Sequence, residues 1–370
     1  MNEDKASRYH RLARQAAVIS LALAALVLGG LLLSGASRVL ADAAAAWAHA
    51  SPGRFSPAGI AIYVALLAAV QGATAFPLTY YRGFFLEHRY GLSSEDAGGW
   101  LRDHAKGALL ALLFALAAAE TVYFFLTVLP GWWWLASAAV FAAVMFGLAK
   151  LLPLIVLPIF YKFTPLDRES LRARLTSLSE RAGVPVLGIY EWGLGEKTRR
   201  ANAALVGTGG TRRIIVSDTL LAEYSDDEIE VILAHELAHH VHRDILTGLL
   251  VESALLLAAF YVAALTLGAT WERLGLRSPS DVAGLPLLVL AAGAVNVAAT
   301  PVVNALSRWN ERRADRYALA LTKRPAAFIS AMKRLATQNL ADERPSRAVL
   351  WLFHTHPPIE QRIEAARRLL

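Results

Sequence analysis

The stretch Ser225-Asp226-Asp227-Glu228-Ile229-Glu230-Val231-Ile232-Leu233-Ala234-His235-Glu236-Leu237-Ala238-His239-His240-Val241-His242-Arg243-Asp244 runs without a break into the apolar segment Ile245–Thr270. Ser225 followed three residues on by Glu228 forms a capping box, and the apolar positions behind it keep helical spacing, so a helix starts at this point. On that helix His235 and His239 share one face, which lets both imidazoles reach a single metal. Glu236, about 100° further round, is placed to touch a water at that metal. Chance alone gives an H-E-x-x-H match in a chain with ten histidines often enough that a solvated His-rich helix end stays open as the plain alternative. The segment Ile245–Thr270, directly behind the motif, is decisive for the fold because it is long enough to cross a bilayer.

The composition supports the same reading. Of 370 residues 56% are hydrophobic and only 18% charged, and the mean hydropathy is +0.41, as in an integral membrane protein. The apolar content and the ordinary Gly and Pro counts exclude a disordered or collagen-like chain, and the absence of cysteine excludes disulfide scaffolds, Cys nucleophiles and Cys-ligated metals. A net charge of +7 does not point to nucleic acid, since no basic run is interleaved with aromatic residues and a multispanning protein gathers Lys and Arg on its cytoplasmic loops.

Six segments are candidates for spans: Ala16–Leu33, Pro57–Tyr80, Ala105–Leu129, Trp132–Phe160, Ile245–Thr270 and Val282–Leu306. The first comes after Lys5, Arg8, Arg11 and Arg14, but its apolar core is longer than that of a signal peptide, and it reads as a retained anchor. Lys and Arg concentrate at the N-terminus, around Arg82–Lys106, after Phe160 and after Leu306, whereas the intervening turns hold only Arg38, Arg54, Arg273 and Arg277. An even number of spans then puts both termini and the polar regions in the cytoplasm. Trp132, Trp133 and Trp134 suit an aromatic belt at the opposite interface. Gln71, Glu120, Lys150, Glu252, Asn296 and Asn304 within the spans fit a hydrated interior; snorkelling and private helix-to-helix hydrogen bonds are the alternative.

The chain divides into a membrane region, residues 1–161, with about four spans and a cytoplasmic loop at 81–104, and a second region, residues 162–370, that carries the H-E-x-x-H motif and includes the two further spans. In the second, Asp167–Arg181 reads as an amphipathic helix ending at Gly183. Ala201–Val206 and Arg213–Ser217 read as strands joined by the turn Gly207-Thr208-Gly209-Gly210, and Ile359–Leu369 as a last helix.

Catalytic zinc takes three protein ligands and a water, so a third ligand must come from another element. Glu311 and Asp315 in Asn310-Glu311-Arg312-Arg313-Ala314-Asp315 lie on one helical face, with Glu311 as ligand and Asp315 placed to hydrogen-bond a ligating histidine. If the fifth span runs outward and the sixth returns, His239 and Glu311 both stand roughly 8 to 9 Å above the same membrane boundary at about 1.5 Å per residue. An exposed acidic face balanced by arginines does not explain that coincidence. A Glu236 base beside zinc makes peptide hydrolysis the natural reaction, and His354, His356 or Arg362 are available to stabilise the tetrahedral intermediate. His240 and His242 read as outer-face residues. Transport through the buried acids is disfavoured by the lack of paired broken spans, and an inactive zinc scaffold by the presence of Glu236.

These residues together resemble the membrane zinc metalloproteases of the CaaX prenyl protease family, with HtpX-type proteases as more distant relatives. The resemblance runs from about Phe84 to the C-terminus. It is carried by His235-Glu236-Leu237-Ala238-His239, Ser307-Arg308-Trp309-Asn310-Glu311 with Asp315, Asn202-Ala203, Asp218-Thr219-Leu220-Leu221 and His356-Pro357-Pro358 with Arg362. Upstream, Arg89-Tyr90-Gly91-Leu92-Ser93 and Trp100-Leu101-Arg102-Asp103 add to it and separate the chain from the HtpX type. The resemblance implies zinc on His235, His239 and Glu311, Glu236 as base, Asp315 behind a ligand, and His356 and Arg362 facing the substrate carbonyl. It also implies that Asn202 and Ala203 belong to an edge strand to which an extended peptide or protein substrate adds itself. The implied fold is mostly α: six to seven transmembrane helices around a chamber, with a gluzincin-like α+β zinc protease domain at its cytoplasmic end. Familiar members have seven spans against the six counted here. The C-terminus, Arg367-Arg368-Leu369-Leu370, carries no endoplasmic-reticulum retention signal, so a bacterial-type inner membrane is the expected setting, where a prenylated substrate is in doubt.

Overall fold

A computed structural model describes residues 4–207, 209–342 and 345–370. Among the described residues, six helices are long and apolar enough to cross a membrane. Four precede the polar region: α1 (Lys5–Leu33), α3 (Pro57–Tyr80), α4 (Ala97–Val128) and α5 (Trp133–Ile155), with the short α2 (Ala36–Trp47) between the first two. At about 1.5 Å per residue, α2 reaches only ~18 Å, too short for a hydrocarbon core of about 30 Å. It lies with the loop 271–284 at the end of the bundle away from the protease region, tied there by Ser37 to Tyr63 and Ala283 and by Arg277 to Asp42.

The polar region opens with α6 (Glu169–Arg181) and a four-stranded sheet, β1 (Phe163–Pro165), β2 (Gly188–Trp192), β3 (Ala203–Val206) and β4 (Arg213–Ser217), in the order β1-β2-β4-β3. The β-branched run Ile214-Ile215-Val216 makes β4 the central strand, parallel to β2 and antiparallel to β3. Leu171, Leu175 and Leu178 of α6 are fully buried with Ile214 and Val216 of the sheet. At roughly 1.5–3 kcal/mol per buried leucine, this contact holds helix and sheet together. β3 is left as a free edge facing α7 (Asp226–Val241), whose capping box at Ser225 and Glu228 is formed.

α7 turns sharply into α8 (Asp244–Thr270) at Arg243, which takes a left-handed backbone with φ 58°. After the crossing, α9 (Leu285–Thr322) returns. Its 38 residues reach about 57 Å, so its last turns stand well clear of a ~30 Å membrane core and run beside α7. α10 (Pro325–Gln338) and α11 (Ile359–Arg367) complete the domain.

Several boundaries differ from those expected from the sequence. β1 and β2 have no alternating pattern and form only by pairing. β3 begins at Ala203 rather than Ala201, α6 at Glu169 and α4 at Ala97; the last helix ends at Arg367, and the fourth span stops at Ile155 before a short turn of helix at Leu157–Phe160. Thr208 of the glycine turn lies outside the described residues. The three tryptophans do not all face outward: Trp132, in the turn before α5, is 64% exposed, whereas Trp133, the first residue of α5, is 4% exposed and packs edge-on to Phe260.

Between the spans lies a cavity of about 740 Å³, mostly apolar, with Gln71, Glu252 and Asn296 in its wall. Glu120 and Lys150 are not part of that wall; Lys150 is exposed near the end of its span, where a long stem carries the ammonium outward. Asn304 is engaged elsewhere and donates to the Trp351 carbonyl.

Candidate active site

Where α7 and α9 run side by side, His235, His239 and Glu311 bring one ligand atom each to within 4.8 Å of one another. His235 Nε2 lies 3.2 Å from Glu311 Oε2, and His239 Nε2 lies 3.4 Å from Glu311 Oε1. Each imidazole is held from behind by a carboxylate on its Nδ1: Asp315 for His235 at 2.9 Å and Asp244 for His239 at 2.8 Å. Both Nε2 atoms are thereby aimed at the same point, an arrangement in which second carboxylates orient histidine ligands.

Glu311 Oε2 is buried and has no aligned hydrogen-bond donor among the described residues. A buried carboxylate oxygen left in this state is costly unless a cation completes it. Two imidazole nitrogens and one carboxylate form a donor set suited to zinc with a position left open. Burial opposes charge on the His235 ring, yet the neighbouring carboxylates of Asp315 and Glu311 lift its pKa to about 9. For Glu236 burial is the main influence and pushes its carboxyl above the ordinary value, which suits a group that must take up a proton.

Asp315 is fixed in turn by Arg362, whose Nε and Nη2 donate to its two oxygens at 2.8 and 2.6 Å. Two of the three guanidinium nitrogens are thus committed to Asp315. His356 is placed differently: its side chain is 61% exposed, with Nε2 3.4 Å from Glu311 Oε1. His354 lies in the same cleft, its carbonyl accepting from the buried Arg308, one turn before Glu311. His240 and His242 point away from the His235–His239–Glu311 cluster, toward the Leu205 carbonyl and the Tyr317 ring.

A cleft of about 460 Å³ joins Glu236, His235, His356 and Arg362 to Asn202 and Ala203 at the sheet edge. Its upstream rim is set by interlocking contacts. Thr219 donates to the Arg200 carbonyl, Asp218 accepts from the Leu194 and Gly195 N–H groups, and Leu92 accepts from Thr198 and Arg199. The sequence reading missed Asp244. Its only signal was an acid at a helix start, a common and unspecific feature. Arg308 was noted only as part of a motif, with no role.

Known proteins resemble this chain over both of its regions. The sequence profile of peptidase family M48 matches residues 165–370, and that of the CAAX prenyl protease N-terminal region, described as five membrane helices, matches residues 2–162. Four spans and the short α2 occupy that second stretch here. The uncharacterized metalloprotease YhfN of Bacillus subtilis is 34% identical over 220 residues, covering 58% of this chain and 52% of that protein, so the match spans about half the relative's length. A CAAX prenyl protease 1 homolog of Oryza sativa subsp. japonica is 25% identical, covering 79% of this chain and 69% of its own. The crystal structure of S. mikatae Ste24p superposes with a TM-score of 0.85 at 21% identity, covering 98% of this chain and 88% of that one, and so has the same fold. With more than half of its length matched by the profile, this chain belongs to peptidase family M48.

Proposed function

We propose that this protein is an integral-membrane zinc endopeptidase that hydrolyses a peptide or protein substrate on the cytoplasmic side of its membrane, an orientation read from its charge distribution. The observation that carries the reading is the convergence of two Nδ1-anchored histidines and a buried, unsatisfied Glu311 next to Glu236. His235, His239 and Glu311 would hold zinc, which would supply Lewis acidity and lower the pKa of a water toward about 7. Glu236 takes the proton of the attacking water on its carboxylate and returns it to the leaving amine. His356, exposed in the cleft, is placed to donate to the oxygen of the attacked carbonyl, while Arg362 acts on the substrate side only through the nitrogen that Asp315 leaves free. Asn202 and Ala203 line the cleft at the free edge, where an extended substrate adds as a further strand.

The test uses purified protein in detergent, with metal content and peptide cleavage measured together. Glu236→Gln should keep stoichiometric zinc and lose about 10²- to 10⁴-fold in kcat. Near-parental cleavage by that variant rules out this role for Glu236.

A further inference from the structure

The direction of the backbone at the sheet edge is settled residue by residue. Asn202 faces β4: its N–H donates to Ser217 Oγ at 3.0 Å, and its carbonyl accepts from the Ser217 N–H at 2.9 Å. In an antiparallel pair the bonded direction alternates, so Ala201, Ala203 and Leu205 turn their N–H and C=O groups to the open side. Contacts at two of the three agree. The Ala201 N–H donates to Asn339 Oδ1 at 3.1 Å, and the Ala201 carbonyl accepts from Asn339 Nδ2 at 3.2 Å. The side-chain amide thus pairs with both groups as a neighbouring strand residue does. At the other end, the Leu205 carbonyl accepts from His240 Nε2 at 3.2 Å. Between them, no hydrogen bond reaches the open side of Ala203 among the described residues.

We infer that Asn339 and His240 cap the edge of β3 on either side of Ala203, so that a bound peptide is held through both main-chain groups of one residue only, the one opposite Ala203. The inference rests on the edge-strand mode of substrate binding and makes Asn339 and His240 positioning residues. Asn339 is well supported for this role. Gln338 before it donates to the Arg199 carbonyl at 3.0 Å. Leu340 after it has a left-handed backbone, and its carbonyl accepts from His10 Nε2 of α1 at 2.7 Å. Asp342 is paired with Arg14 at 3.1 Å. Asn339 lies in the wall of the cleft that holds Glu236 and Ala203, so the cap lies within the substrate path. A ladder of one residue fixes register without reading a long sequence, leaving selectivity to the cleft's side chains.

In an antiparallel substrate, if residue p faces Ala203, residue p+2 meets Ala201 and p−2 meets Leu205. The experiment replaces each backbone amide of a bound peptide in turn by an ester, which deletes one N–H. It reads Kd with zinc-loaded Glu236→Gln enzyme, so that turnover plays no part. One replacement, at p, should weaken binding about fivefold, as expected for a single lost hydrogen bond, and those at p+2 and p−2 should change it less than twofold. Sensitive amides recurring at every second position would overturn the capping while leaving the edge-strand mode intact. No sensitive amide anywhere would overturn the edge-strand mode, and the inference with it. In the background of folded Asn339→Ala, residue p+2 should become sensitive, and continued silence there would remove Asn339 from the role. The scan on the Asn339-containing enzyme stands whether or not that variant folds.

Discussion

An imidazole gives a metal one nitrogen, and what the other nitrogen does decides whether the ring is in place before the metal arrives. His235 and His239 both have that second nitrogen on a carboxylate, from Asp315 and Asp244. Asp244 can reach His239 because Arg243 turns the chain in a left-handed conformation, a strained state for a non-glycine residue that the surrounding contacts must hold. Arg313 donates to the other oxygen of Asp244 and completes the link between α8 and α9. The loss of metal should therefore be graded. Glu311→Ala removes a ligand and should abolish stoichiometric zinc, whereas Asp244→Asn keeps the ligands but spoils the orientation and should weaken zinc about 10- to 100-fold. Competition against a chelator measures both, and parental affinity in Asp244→Asn would leave His239 without need of its anchor. The meeting of Glu311 with His239 was legible in the sequence because the two lie at matching distances from the ends of adjacent spans. Asp244 was not, because its role depends on a backbone corner that spacing rules do not reveal.

Among the elements, the long helices were the most legible and the sheet the least. Spans announce themselves by length and hydropathy, and α7 by its capping box. Gly188–Trp192 becomes a strand only because β4, later in the sequence, offers it a partner, and Phe163-Thr164-Pro165 only because Gly188–Trp192 in turn offers it one. β3 is informative for function because its bonded and open directions alternate. The Ala203 N–H points to the open side, so proline there leaves the β3–β4 ladder intact, as at other edge positions. It does delete the donor that a substrate carbonyl needs. Valine keeps the donor and favours the strand. Ala203→Pro should therefore lower kcat/KM on one peptide well below Ala203→Val, by about fivefold or more for the lost bond. Both variants must first be shown to bind zinc and to melt like the parent. Equal values would mean that the substrate does not pair at this position.

For the whole molecule, the N-terminal helix and the protease region are locked together at one end of the bundle. Tyr9, Glu87 and Arg200 form one network there, and Asp103 and Lys197 another. The opposite end carries α2 and the loops with Arg38, Arg54, Arg273 and Arg277, few basic residues against the many on the protease side. The charge asymmetry favours a membrane orientation with the sparse end outside and the active site in the cytoplasm. A chain without cysteine allows a direct check, because any single introduced thiol is the only one to react. Ser51, exposed in the loop after α2, and Glu169, whose side chain is 87% exposed at the start of α6, report on the two ends. In intact cells, Ser51→Cys should react with a membrane-impermeant maleimide, and Glu169→Cys should react only once the membrane is broken. Each variant is first tested for zinc content, and labelling in lysed cells confirms that its thiol is accessible. Labelling of Glu169→Cys but not Ser51→Cys in intact cells would invert the molecule in its membrane. The site geometry would stand, but the substrate would have to be sought outside the cytoplasm.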